Sequence, residues 1–413
     1  MLLYFKVANS RSFAKEAVFS MVASNDYSND YSHQINTPNI KVLKTSLLYG
    51  ANASGKSNLL KAIADSVLMI RNSHKYSKNE TEDSVYALKF YPNKNESVNI
   101  NKPTSYTFGI FINNKIFEYS FSNTAERIVN ESLIEKSNNK NEIVHFIRVY
   151  YKNNNQYFYP QLSQEFKNKF DVLIPFTKKE NLFLSISAQL SEEPQYKIET
   201  ADLIWNFFKN KLHYIINHSA PQKNEIKSVL NFIRTNAPQK HQFLEVLKQA
   251  DFSIVDIKFN SFIDENGKRD FKIKTIHKGI NGKQESVLVE YDLFDEESVG
   301  ILQFIYWWGH LVLASAQNRT LIIDEFGNSM HPMLSEFLLH LFQSKHGQLI
   351  FSTHDVKLMN SKYIKPEQIW IMKKDSLSNS SIFPLSDFDI ENDKMVDNVY
   401  LDGLFKGVPN IIY

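Results

Sequence analysis

Hydrophobic and polar residues change their spacing several times along the 413-residue chain, and each change marks an element. LLYFKV (2–7) and EAVFSMVAS (16–24) alternate, which predicts two short strands bridged by a turn. VLKTSLLYG (42–50) reads as one buried strand running into a glycine loop. Directly after that loop, SNLLKAIADSVLMI (57–70) sets Leu59, Leu60, Ile63, Val67 and Ile70 at helical spacing. RNSHKYSKNETEDS (71–84) is polar and has little reason to order tightly. TSYTFGIFINNKIFEYSFS (104–122) is two alternating runs around Asn113 and Asn114, residues that tolerate positive φ, and so predicts a hairpin. Strands are also expected at IVHFIRVYY (143–151) and NQYFYP (155–160). From about 199 to 250 the spacing is helical, most clearly in TADLIWNFFKNKLHYIINH (200–218) and HQFLEVLKQA (241–250). Strand character returns in FSIVDIKFN (252–260), FKIKTIHK (271–278) and SVLVEYDLF (286–294). The last third alternates: a helix near 298–316, a strand at TLIIDEF (320–326), a helix over 331–343, then strands at QLIFSTH (348–354) and QIWIMKK (368–374). Such alternation predicts a parallel α/β architecture. No internal repeat and no long heptad run is present.

Composition narrows the picture without deciding it. The length suits two or three domains, and 43% hydrophobic residues suffice for a substantial core. Lys plus Arg total 47 against 45 Asp plus Glu, so the formal charge of +2 creates no global field for nucleic acid. The amino terminus lacks a signal peptide's basic region and cleavage site, and no apolar run is read as approaching membrane length, so a cytoplasmic protein without a membrane partner is expected. The absence of Cys excludes disulfides, thiolate zinc sites and cysteine nucleophiles.

Candidate chemistry begins at Gly50-Ala51-Asn52-Ala53-Ser54-Gly55-Lys56-Ser57, which matches G-x-x-x-x-G-K-[ST] between a strand and a helix. In that motif backbone N–H groups surround phosphate oxygens at a helix N-terminus, a role here for Gly50, Asn52, Ser54, Gly55 and Asn58. Lys56 would reach the β and γ phosphates, and the Ser57 hydroxyl would ligate Mg²⁺. TLIIDEF ends on adjacent carboxylates: Asp324 is suited to holding Mg²⁺ and Glu325 to polarising an attacking water, although an acidic strand end could also simply cap the next helix. QLIFSTHD delivers His354 to the same edge of a parallel sheet, where ligands bind and a histidine could sense a γ-phosphate; a lone His can equally be structural. His331, before Pro332, reads as a helix-start residue. Ser298 and Gly300, in DEESVGILQFIYWW, stand at the head of a helix, as an anion site or an ordinary N-cap. No guanine-reading motif is found, so ATP is the expected nucleotide.

The order of these parts resembles ABC-type ATPases of the SMC, Rad50 and RecF kind. More closely, LLYGANASGKSNLLKAI, EESVG, LIIDEFGNSMHP, QLIFSTHD and YLDGLFKGVPNI resemble the AAA15-type stand-alone ATPases of abortive-infection systems, over roughly residues 1–70 and 290–413. The resemblance implies an ATP-sandwich homodimer in which Ser298 and Gly300 of one protomer meet the γ-phosphate held by Gly55, Lys56 and Ser57 of the other. It also implies a slow ATPase that acts as sensor or scaffold for a separately encoded effector, a nuclease or toxin, in antiviral defence. The chain departs from ABC transporters in Ser-Val-Gly for Ser-Gly-Gly, and from Rad50 in lacking a long coiled coil. The overcoming-lysogenisation nucleases are similar in their ATPase part, but the fewer than 60 residues after His354 are too few for their nuclease domain.

The expected fold is therefore α/β, a P-loop NTPase of ABC/SMC-head type with a mixed sheet. Its core is discontinuous, over 1–70 and 290–413, with an antiparallel β lobe at 86–160. A helical insert at 195–250 and a β segment at 251–290 complete it. FYPN near Phe90 is a candidate for coupling the lobes. The alternative is a RecF-like DNA-binding ATPase. Its basic face would draw on KNKLHYIINH (209–218), KKEN (178–181) and NGKRDFKIK (266–274), stretches in which acids are also interspersed along the chain.

Overall fold

Short runs such as Thr45–Tyr49, Thr320–Ile323 and Gln348–Ser352 are long enough to cross a sheet and too apolar to tolerate water on either face, so they are best satisfied inside a parallel sheet with both sides covered. In the computed structural model the six-stranded sheet they anchor has the order Leu212–Ile215, Thr320–Ile323, Gln348–Ser352, Thr45–Tyr49, Ile369–Lys374, Ser380–Pro384. The first five are parallel and Ser380–Pro384 is antiparallel. Every residue of Thr45–Tyr49, Thr320–Ile323 and Gln348–Ser352 is buried. The structure describes residues 1–24, 32–76, 87–137, 141–216, 221–250, 252–263, 267, 269–328, 330–388, 395–405 and 407–408. Part of the polar stretch 71–84 and most of the terminal VPNI lie outside them.

Contacts divide the chain into two units. The first comprises Met1–Ile216, Ala316–Glu325 and His346–Tyr413; the second comprises Asn217–Ser315 and Phe326–Lys345.

Beside the parallel sheet, the first unit holds a seven-stranded antiparallel sheet ordered Gln156–Leu162, Ile143–Tyr151, Ile128–Lys136, Lys115–Asn123, Thr104–Ile112, Leu2–Ala8, Ala17–Ser20. The two alternating amino-terminal runs pair antiparallel as their pattern predicts. The hairpin also forms: Ile112 pairs with Lys115, and Asn113 and Asn114 sit at φ 51° and 62°, the primed turn that matches strand twist. Helix Lys56–Asn72 buries Leu59, Leu60, Ile63, Val67 and Ile70 completely in a core shared by both sheets. Buried Gln348 stitches the sheets, accepting from Leu2 N (2.7 Å) and Thr320 Oγ1 (2.8 Å) and donating to Leu2 O (2.9 Å).

Three expectations are corrected. VLKTSLLYG is not one strand: Lys41–Leu43 pairs with Gln34–Asn36, and the chain then enters the core sheet as Thr45–Tyr49. The helical stretch at 200–218 stops early, since Glu199–Asn206 passes through a π turn, Phe207–Lys211, into strand Leu212–Ile215. That strand's exposed backbone edge is satisfied by Thr320–Ile323, and Asp324 N extends the pairing to Ile215 O at 2.9 Å. Finally, one helix among the described residues, Val299–Ala316, has the length and composition of a membrane span, although polar Gln303 and His310 break its apolar run.

That helix belongs to the second unit, which also contains helices Lys223–Arg234, Ala237–Gln249 and Pro332–Gln343. A three-stranded antiparallel sheet of Ile254–Ile263, Arg269–Ile280 and Ser286–Asp292 completes the unit. Half of Val299–Ala316 is buried within the protein: Trp308 lies 4.5 Å from Phe243 and Phe304 lies 5.1 Å from Phe252, centroid to centroid. Gly309 permits the approach of Lys223–Arg234, because a Cβ there would stand 1.9 Å from Val229 Cγ1.

Candidate functional site

Parallel pairing levels the carboxyl ends of neighbouring strands. Ile323 pairs with Phe351, Phe351 with Leu47, and Ser352 with Leu48, so the residues after each strand emerge at one edge. There the chain leaves Thr45–Tyr49 into the loop Gly50–Gly55, which no ordinary sequence could trace. Gly50 has φ 152°, and a Cβ would meet Ser54 Oγ at 2.5 Å; Gly55 has φ 114°, and a Cβ would meet Ser380 Oγ at 2.2 Å. Ala53 adopts φ 62° between them, and Asn52 and Ala53 form the exposed tip.

The loop is braced by residues that no sequence motif marks. Ser380 Oγ donates to Ser54 O at 2.7 Å and meets the Ser12 hydroxyl at 2.7 Å, and Asn58 Nδ2 donates to Ser12 Oγ at 2.9 Å. Ser12 comes just after the left-handed Asn9 and Arg11, so a strained turn after the first strand abuts the loop. Asn93, from FYPN, is buried and joins Arg11 O (3.1 Å) to Asn379 Oδ1 (3.1 Å). Only these tertiary contacts reveal Ser12 and Ser380.

Lys56, 6% exposed, donates to Gly50 O at 2.7 Å and Ala51 O at 3.2 Å. Desolvation lowers its pKa, while Asp324 and Glu325 pull it up. Those acids are held by one hydroxyl: Ser352 Oγ donates to Asp324 Oδ1 at 2.5 Å and accepts from Glu325 N at 2.8 Å. Asp324 is buried, whereas Glu325 is exposed at φ 60°, a left-handed conformation that costs a non-glycine residue about 1 kcal/mol. His354 is exposed after the next strand. Desolvation and then the Lys56 charge lower its pKa, opposed by Glu325 and Asp324.

A cavity of about 320 Å³ opens between the loop and this strand end, lined by Gly50, Asn52, Thr353, His354, Tyr400 and Val408 among others. Tyr400 OH donates to Gly407 O at 3.0 Å; burial pushes its pKa up to about 12, against the pull of a hydrogen bond from the Gly50 backbone.

The first unit thus gathers Gly50, Asn52, Ser54, Gly55, Lys56, Ser57, Asn58, Asp324, Glu325 and His354. Ser298 and Gly300 belong to the second. There Ser298 caps its helix, accepting from Ile301 N at 3.3 Å, and the tripeptide is open: Ser298 and Val299 are exposed, and a Cβ on Gly300 would find only Ser298 Oγ, at 3.9 Å. His331 is the helix-start residue its sequence predicts, its Nδ1 accepting from Met333 N at 3.3 Å.

A magnesium nucleotide fits these residues. Ser54 Oγ is buried without a hydrogen-bond partner beside the loop, the two glycines keep it open, and a buried ammonium faces two carboxylates. Ser57 and Asp324 supply the hard oxygen donors that Mg²⁺ prefers.

Residues 46–360 match the family described as "AAA domain, putative AbiEii toxin, Type IV TA system". None of the curated proteins matches the sequence. Among solved structures, one is "Crystal structure of the SmcHead bound to the C-winged helix domain of ScpA", at 12% identity and a TM-score of 0.41, covering 94% of this chain and 99% of that one. Another is "Structure of the recombination mediator protein RecF-ATPrS in RecFOR pathway", at 14% identity and 0.36, covering 93% and 98%.

Proposed function

The chain belongs to the AAA-domain family that its residues 46–360 match, and on that premise we propose that it is a nucleotide-gated ATPase whose closed homodimer controls a separately encoded effector. The observation that carries the reading is the convergence of the P-loop, Asp324 with Glu325, and His354 at one sheet edge, with Ser352 aligning both acids. Lys56 leaves its two carbonyl partners to neutralise phosphate charge. Ser57 and Asp324 hold Mg²⁺, which supplies further charge neutralisation on the phosphates. Glu325, exposed and fixed by its amide, accepts the proton of the attacking water. His354, its pKa lowered first by desolvation, donates a ring N–H to the γ-phosphate.

Closure uses Ser298 and Gly300 of the second protomer, which this chain leaves open to solvent. The family's description, which names a toxin of a toxin–antitoxin system, supports an output of toxin type, which the proposal places in antiviral defence. Direct DNA binding of the RecF kind would need an unpaired basic face, yet Lys274 of the run 266–274 is paired with Glu290 at 3.0 Å and Asp270 of the same run with Lys227 at 2.6 Å.

Light scattering of the Glu325→Gln protein with and without Mg-ATP tests the proposal. The expected result is an ATP-dependent step up in mass that Ser298→Arg abolishes; a mass indifferent to ATP overturns the gated dimer.

A further inference from the structure

Immediately before the open tripeptide Ser298-Val299-Gly300 lies a carboxylate that is neither open nor free. Glu297 has a side chain only 7% exposed, and its Oε1 accepts two hydrogen bonds from the middle strand Arg269–Ile280: one from Thr275 Oγ1 and one from His277 Nε2 at 2.6 Å. Thr275 is fully buried. On its other side the His277 ring meets Ser253 Oγ through Nδ1 at 2.9 Å, just ahead of the first strand. Tyr291 from the third strand packs edge-on against the His277 ring at 4.8 Å. The relay runs from Ser253 through His277 to Glu297, and every strand of the sheet contributes to it or abuts it.

The chain between sheet and helix is also tied down. Asp292 Oδ1 accepts from Phe294 N (2.9 Å) and Asp295 N (3.3 Å), Glu296 Oε2 accepts from Asp292 N, and Leu293, fully buried, donates through its amide to Ile273 O at 3.1 Å. Burying the Glu297 side chain beside Thr275 is costly unless its hydrogen bonds are made, and those bonds, with the more exposed backbone-to-carboxylate bonds of the turn, hold the neighbour of Glu297 in place. That neighbour is the exposed Ser298, with Val299 58% exposed.

We propose that Glu297 is a positioning residue: clamped by Thr275 and His277, it sets Ser298, Val299 and Gly300 for the γ-phosphate held by a second copy of this chain. The inference rests on the sandwich reading proposed for closure. It makes the three-stranded sheet the element through which closure is tuned, since a shift of the middle strand moves Glu297 and with it the tripeptide.

The test measures ATP-dependent dimerisation and monomer ATP binding of the full chain in the Glu325→Gln background. Glu297→Ala is expected to raise the protein concentration needed for half-dimerisation about tenfold or more while leaving ATP affinity of the monomer unchanged. Because both hydrogen bonds end on one oxygen, Glu297→Gln keeps an acceptor there and is expected to restore dimerisation to within about threefold. Thr275→Val, which leaves the His277 donor in place, is expected to fall between them and serves if Glu297→Ala fails to fold. Normal dimerisation of Glu297→Ala, or of a folded Thr275→Val, overturns the inference. Parallel loss of monomer ATP binding or of nucleotide-free stability also overturns it, assigning Glu297 a general structural role. If Ser298→Arg itself dimerises normally, the sandwich reading fails and this inference with it, whereas a blocked Ser298→Arg beside a normal Glu297→Ala sinks the inference alone.

Discussion

Lys56 shows how a single residue can be buried and hydrogen-bonded while its charge is only partly compensated by its protein. Desolvation works against its charge and two neutral backbone carbonyls are its hydrogen-bond partners, so an anionic polyphosphate offers it a better environment than those carbonyls do. Lys56→Ala should therefore lose the rise in melting temperature that ATP confers, which thermal unfolding with and without nucleotide will show. Ser352 carries a second expectation. Ser352→Ala leaves the buried Asp324 without its hydroxyl donor and the left-handed Glu325 without its anchor, so stability should fall by about 1–3 kcal/mol in denaturant unfolding and phosphate release should slow. Lys56, Asp324 and His354 are legible from the chain because motif and strand pattern announce them. Ser352, Ser12 and Ser380 are not, since a serine's importance here comes only from which atoms lie across from it.

Among the elements, the clearest case is the hairpin at Asn113-Asn114, whose two left-handed residues are visible in composition and confirmed in φ. Asn114→Gly should stabilise by roughly 0.5 kcal/mol, read as a higher denaturant midpoint, because glycine adopts that conformation without steric cost. Farther along the same sheet, Glu131 and Arg148 are both fully buried. Glu131 accepts from Tyr119 OH (2.9 Å), Phe183 N (2.6 Å) and Leu184 N (2.9 Å), while Arg148 donates to Asn181 O (2.6 Å) and stacks on Tyr157. Glu131→Ala strands the guanidinium and should cost about 3–5 kcal/mol in the same assay. By contrast, Leu212–Ile215 reads as helix by spacing, and only the unfilled edge of Thr320–Ile323 makes it a strand.

Across the chain as a whole, segments hundreds of residues apart depend on one carboxylate. Glu367 accepts from His33 Nε2 at 2.6 Å, Ser24 N at 2.5 Å and Gln34 Nε2 at 3.2 Å. Desolvation pushes its pKa up, but those hydrogen bonds outweigh it and hold the carboxyl below its ordinary 4.5. A depressed carboxylate contributes stability that is present above the unfolded value and lost as pH falls through the folded one. Wild-type stability should accordingly drop below about pH 4.5 more steeply than that of Glu367→Gln, as urea titrations across the acid range will show. Local pattern was enough to specify the parallel core, the P-loop, the two acids and the histidine, because periodicity and fixed spacing are local and a buried strand must be apolar throughout. Folding alone settled the strand at Leu212–Ile215, the serines that brace the loop and align the acids, and the clamp on Glu297. Each of these depends on a partner brought close in space, and no spacing along the chain encodes the distance between residues that meet only across a sheet.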